Sequence, residues 1–187
     1  MKRKIRLMMI SACMAAAVTW CAGTALASEV NWGDLIEDLA EDNLEGEFVI
    51  INELGLKMWI PEDMKEETVD EDMKDAGYLR YYTSSNQKAK GTNDKPTVAV
   101  TYVDMDGLGL PAYEKLVETS GGSGLTELNL NGLGAITYDL EEADLTAIAF
   151  VTERGYIVEF LFYPMSDEAF AKEVEYMTAS IMSAEEN

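Results

Sequence analysis

Two hydrophobic periods, one near 3.6 and one of 2, divide the chain into short elements. Between residues 33 and 43, Leu35, Ile36 and Leu39 share one face while Glu37, Asp38, Glu41 and Asp42 fill the other, which predicts a short helix closed at Gly46. Phe48 to Ile51 is a short apolar run of strand formers. Asn52-Glu53-Leu54-Gly55 turns the chain, and Leu56, Met58 and Ile60 alternate with Lys57 and Trp59 in a strand ended by Pro61. The acidic, Met-punctuated segment Glu62–Ala76 predicts two helical turns ending at Gly77. Tyr78 to Tyr82 is a strand by its aromatic content, and Thr83 to Lys95 an exposed loop by its Ser, Asn and Gly.

The second half is more regular. Thr97 to Val103 is a strand. Pro111 suits the first position of a helix whose face is Tyr113, Leu116 and Val117, and which stops before Ser120-Gly121-Gly122-Ser123-Gly124. Leu128 and Leu130 lead into Asn131-Gly132, a favoured two-residue hairpin turn, and Leu133 to Tyr138 leads away. A strand from near Asp144 to Val151 turns at Glu153-Arg154-Gly155 into Tyr156–Tyr163. That last strand is apolar on both faces except for Glu159 and belongs near the middle of a covered sheet. The closing helix takes Ser166 as its N-cap, with Asp167 and Glu168 in the first turn. Its stripe is Phe170, Val174, Met177 and Ile181. No β-α-β-α alternation supports a doubly wound parallel sheet, and no interior linker splits the chain. The expected fold class is therefore α+β, a single domain over residues 28–187 with a mainly antiparallel sheet covered by helices.

Residues 1–27 read as an export signal. Lys2, Arg3, Lys4 and Arg6 precede an apolar stretch from Leu7 to Val18, and Ala25-Leu26-Ala27 before Ser28 fits a signal-peptidase site. The stretch is shorter than the about 20 residues a membrane span needs and carries Ser11. Lipid attachment is the lesser reading. At Cys13 a cut would leave a hydrophobic leader on the product, and at Cys21 the preceding Trp20 fits a modified cysteine badly. Cleavage between Ala27 and Ser28 removes both cysteines and four basic residues, so the exported chain has no thiol and no disulfide to staple it. A domain of about 160 residues buries roughly 70% of its unfolded surface, enough to fold by packing alone. The expected location is secreted or extracytoplasmic, in periplasm or envelope, with no permanent membrane span.

Charge and composition then remove whole classes of chemistry. The chain has no His, which excludes imidazole general bases, Ser-His-Asp triads and His-ligated zinc. A formal charge of −21 argues against nucleic acid, which requires a basic footprint. No motif calls for a cofactor.

Three groups of residues together resemble the PsbP-like family. They are Phe48–Ile51 followed by Leu56-Lys57-Met58-Trp59-Ile60-Pro61-Glu62-Asp63; Leu130-Asn131-Gly132 through Tyr138; and Ala147 to Phe162 with Pro164 and Ala179-Ser180-Ile181. These are strand, turn and packing patterns with no catalytic signature. The resemblance implies a secreted or envelope α/β/α sandwich around an antiparallel sheet, acting as a binding or assembly factor. It transfers no functional residue.

Candidate sites are few. Asp104-Met105-Asp106-Gly107 has two carboxylates at calcium-loop spacing, but Leu108, Gly109 and Leu110 supply no further side-chain oxygen, so a strand-to-helix turn is the better account of Asp104 and Asp106. The acids of Glu62–Asp75 read as a solvated face. The Ser/Gly run at 120–124 lacks the Gly-Lys-Ser/Thr ending of a phosphate loop and the last glycine of a nucleophile elbow. Trp59, Tyr78, Arg80 and Tyr82 form an aromatic cluster, with Tyr78, Arg80 and Tyr82 expected on one strand face. It fits the core better than a ligand or partner face, the functional alternative. Glu153 and Glu159 are nominal candidates for a carboxylate pair in glycan hydrolysis.

The expected function is a secreted, non-enzymatic binding module for a protein, peptide or small ligand. The alternatives are a carboxylate-based glycan hydrolase and a weakly Ca²⁺-dependent envelope protein. N-terminal sequencing of the exported product is expected to begin at Ser28. A lipid-modified product beginning at Cys13 or Cys21 would replace this assignment.

Overall fold

The computed structural model describes residues 28–30, 32–34, 36–85, 94–107, 109–152 and 156–185. Residues 1–27, where an export signal is expected, and Glu153 lie outside them. The strands are β1 Ser28–Val30, β2 Gly46–Ile51, β3 Leu56–Pro61, β4 Met64–Glu66, β5 Tyr78–Ser84, β6 Thr97–Asp104, β7 Ser123–Leu130, β8 Leu133–Leu140, β9 Leu145–Val151, β10 Tyr156–Tyr163 and β11 Met182–Ser183. The α-helices are α1 Ile36–Asp42, α2 Glu71–Asp75, α3 Leu110–Thr119 and α4 Glu168–Ala179.

Strand β10 decides the layering. Val158, Phe160 and Phe162 point to one face and Ile157 and Glu159 to the other, and all five are buried. Both faces must therefore be covered. The strand sits inside an eight-stranded sheet ordered β1-β7-β8-β9-β10-β6-β5-β4. All its described pairs are antiparallel except β1 with β7. Helix α3 covers the Glu159 face, where Tyr113 and Val117 pack on Ile136, Ala147, Ala149 and Ile157. The other face is covered by α4 together with a second sheet ordered β11-β3-β2. The apolar stripe expected on the closing helix is buried there, with Phe170, Val174, Met177 and Ile181 all in the core.

The α+β class, the single domain and the mainly antiparallel sheet match the expectation, with one hydrophobic cluster on each face of the large sheet. The differences are local, and each has a cause. Phe48–Ile51 and Leu56–Pro61 form a separate small sheet instead of joining the large one. The first part of Glu62–Ala76 is strand β4, not a helical turn. After the turn at Glu62-Asp63 the chain lies against the edge of β5, and ladder pairing of Met64 with Ser84 and Glu66 with Tyr82 supplies backbone partners. That pairing also extends β5 past the expected loop start at Thr83. Only Glu71–Asp75 is helical, capped by Asp70, whose side chain accepts from Met73 N–H. The Ser/Gly run already enters β7 at Ser123. The cap of α4 is Asp167, accepting from Ala169 and Phe170 N–H, because Ser166 is held instead by Asp144.

Two polar side chains join the layers. Ser180 Oγ, fully buried, accepts from Trp59 N–H at 2.8 Å and donates to Met177 O at 2.6 Å, tying the end of α4 to β3. Asn131, in the left-handed position its hairpin turn requires, donates to Ala179 O and Ile181 O at 2.8 and 2.9 Å. Its Oδ1 accepts from Trp32 N–H at 3.2 Å. Ser180→Ala is expected to cost about 1–3 kcal/mol, since it leaves the buried Trp59 N–H without a partner. Denaturant unfolding of the two proteins measures the difference.

Candidate functional site

Three places on the described surface and interior hold chemistry-bearing groups. The first is built on Arg80. A bulge in β5 pairs Tyr78 with Thr101 but Arg80 with Val100, so Leu79 is an extra residue and the faces switch between Tyr78 and Arg80. Tyr78 therefore sits with Tyr81, ring centroids 6.3 Å apart, on the α3 side. Arg80 and Tyr82 point to the opposite side. The expected shared face of Tyr78, Arg80 and Tyr82 does not exist, and nothing in the local sequence announces the bulge. Trp59 and Tyr82 are core residues, 5% and 2% exposed, with Trp59 between Trp32 and Tyr176.

Arg80 spans the two sheets. Its Nη1 donates to Glu66 Oε1 on β4 at 2.9 Å, and its Nη2 to both oxygens of Glu53 in the β2–β3 turn at 2.9 Å. Its Nε is buried without a partner among the described residues. Burial pulls the guanidinium pKa down, but the Glu53 and Glu66 carboxylates outweigh it and hold it above the ordinary value. Burial, with Glu66 adding to it, pushes the Tyr82 phenol up to about 12. An open cleft of about 460 Å³ lies over this clamp, lined also by Glu67, Thr68, Val69, Lys74 and Leu79. Both outer nitrogens of Arg80 are engaged, so an anion entering the cleft would have to displace Glu53 or Glu66.

The second place is internal. Glu159, 8% exposed, receives Thr101 Oγ1 at 3.1 Å on one oxygen and the hydroxyls of Tyr113 and Tyr138 on the other. Burial first, then the Glu159 carboxylate, raises the pKa of both tyrosines. Helix α3 packs over the group through Tyr113, so Glu159 is held in the interior by three hydroxyls.

The third place is the outer side of β2. Phe48 and Ile50 are 39% and 54% exposed on one strand face, and Ile36 of α1 is 53% exposed. Trp32 packs edge-on against Phe48 at 5.3 Å, and Lys57 Nζ stands 5.5 Å from the same ring. From sequence Phe48–Ile51 is an ordinary strand. Its apolar, lysine-free and proline-free composition was visible, but its position at a sheet edge was not.

The Asp104–Gly107 loop is a tight turn. Asp104 Oδ1 accepts from Asp106 N–H at 2.9 Å, and Asp106 and Gly107 both have positive φ. Among the described residues no three or more acidic groups gather to hold a metal.

No family model matches the chain, and no curated relative matches its sequence. Among solved structures the chain is similar to the cyanobacterial PsbP (CyanoP) of Synechocystis, with TM-score 0.44 and 14% identity over 89% of this chain and 98% of that one. It is also similar to the Ran-binding protein Mog1p of Saccharomyces cerevisiae, with TM-score 0.41 and 10% identity over 75% of this chain and 96% of that one. The PsbP-like resemblance of the strand and turn patterns thus meets a PsbP among the similar structures. The likeness is one of fold, and no residue role passes with it.

One acidic group in the middle of α4 gives a pH-dependent prediction. Burial, reinforced by Asp63 and Asp167, pushes the Glu173 carboxyl up from 4.5 to about 7. The folded state then holds a proton that the unfolded chain releases, so stability falls as pH rises from about 4.5 to about 7. Glu173→Gln is expected to stabilise the protein at pH 8 by about 1–2 kcal/mol, after allowance for partial solvent screening, and to change little at pH 4. Thermal melts of both proteins at the two pH values check this.

Proposed function

We propose that the protein is an exported, non-enzymatic interaction module whose partner is a protein. The observation that carries this reading is the pair of exposed apolar side chains Phe48 and Ile50 on one face of the edge strand β2. Large apolar side chains grouped on a surface mark contact sites more often than they mark chemistry. The sealed environment of Glu159 supports the same reading, since it withdraws the one carboxylate of the nominal hydrolytic pair that the structure describes. The basic start, apolar stretch and Ala25-Leu26-Ala27 pattern support export. A net charge of −21 favours a partner with a basic surface and speeds its approach at low salt.

The test places a photo-crosslinking amino acid at position 48 and, separately, at exposed position 118 in the producing organism. A discrete protein adduct from position 48 and none from 118 is the expected result. Turnover on a glycan panel that disappears when one acidic residue is changed, with no adduct from position 48, would replace this reading with an enzyme.

A further inference from the structure

The backbone of β2 offers more than an apolar strip. In the small sheet β2 has β3 on one side only. The direction of its peptide groups follows from two bonds. Trp59 N–H donates to Ser180 Oγ, away from β2, so the Phe48–Trp59 pair is not one that exchanges backbone hydrogen bonds. Glu62 N–H donates to Glu45 O at 2.9 Å, so the Glu45–Glu62 position is one that does. Alternation along the ladder then assigns Glu47, Val49 and Ile51 to β3 and turns the N–H and C=O groups of Gly46, Phe48 and Ile50 outward. No described group bonds to those six outward atoms.

Unpaired edges are normally blunted by lysine, proline, a bulge or shortness. The other three open ends follow this rule: β1 has three residues, β4 has three with Lys65 at its centre, and β11 has two. β2 runs six residues in unbroken register from Gly46 to Ile51, with neither lysine nor proline. Its side chains also alternate. Phe48 and Ile50 share the outer face, while Glu45 and Glu47, both exposed, share the other.

We infer that β2 is a docking edge for an extended segment of a basic partner protein, which adds as a further strand to the small sheet. This rests on the interaction-module reading and specifies its chemistry. The added strand alternates apolar side chains, opposite Phe48 and Ile50, with Lys or Arg opposite Glu45 and Glu47. Main-chain bonds to the outward groups supply affinity and the alternation supplies selectivity. A second copy of this chain is disfavoured as the occupant, because it would bring the same glutamates and the same strong net negative charge to the contact.

The experiment titrates the purified protein with three short synthetic peptides: one alternating Val and Lys, one alternating Val and Glu, and one with the Val and Lys residues in separate blocks. Calorimetry and amide exchange are the readouts. The alternating Val/Lys peptide is expected to bind at least about tenfold more tightly than either control and to slow exchange at Gly46, Phe48 and Ile50. Ile50→Lys, at an exposed position, is expected to weaken that binding by about tenfold with an unchanged melting temperature. Equal binding of the two Val/Lys peptides, or no slowing at those three amides, would overturn strand addition. So would a dimer in sedimentation that protects the same amides without peptide. If the crosslink from position 48 persists in any of these cases, the interaction-module reading stands and only the docking mode falls.

Discussion

A strand with apolar side chains on both faces cannot lie at the surface, and β10 imposes that constraint on everything around it. Phe160 and Phe162 on one side and Ile157 on the other are fully buried, and covering each large side chain is worth about 1.5–3 kcal/mol. One helix, α3, suffices for the first face because the small residues Ala147 and Ala149 let it approach closely. The other face is wider and takes both α4 and the small sheet. That second cover is assembled from segments far apart in the chain, which explains why its joints are polar and specific: Ser180 binds β3 to α4, and Asn131 binds the β7–β8 hairpin to the end of the same helix. Apolar contact drives the layers together, and these directional bonds fix how they meet.

Where the sequence carried a local signal, the fold was legible. Phe170, Val174, Met177 and Ile181 repeat at helical spacing and are buried as a stripe, and Asn131-Gly132 makes its turn with both residues at positive φ. Features set by remote partners were not legible. Met64-Lys65-Glu66 has one apolar residue and becomes a strand only because β5 presents an open ladder. Ser166 and Asp167 are both good caps, and the choice is made by Asp144, over twenty residues earlier in the chain. The bulge at Leu79 reversed the facing of Tyr78, so the residues singled out as a possible contact face separated into two surfaces. The apolar content of Phe48–Ile51 was plain, yet the alternation of its free peptide groups depends on which strand stands beside it.

Charge is managed in contrasting ways across the molecule. Arg80 is a cation held between two carboxylates from different sheets, so it links the β2–β3 turn to the edge of the large sheet. Glu173 stands among acids and is eased by holding its proton. Glu159 has no cation among its described partners and is satisfied by hydroxyls alone. A chain this acidic has few bases to distribute, and tyrosine and threonine supply donors where lysine and arginine are scarce.

The Glu159 arrangement has a consequence for how α3 seats. Apolar packing between a helix and a sheet tolerates sliding, because one methyl group replaces another at small cost. A carboxylate that depends on Tyr113 from the helix and Tyr138 and Thr101 from neighbouring strands does not, since displacement by a single turn would strand it without the helix donor. The buried acid therefore acts as a registration mark, converting a greasy and forgiving contact into one with a single permitted alignment.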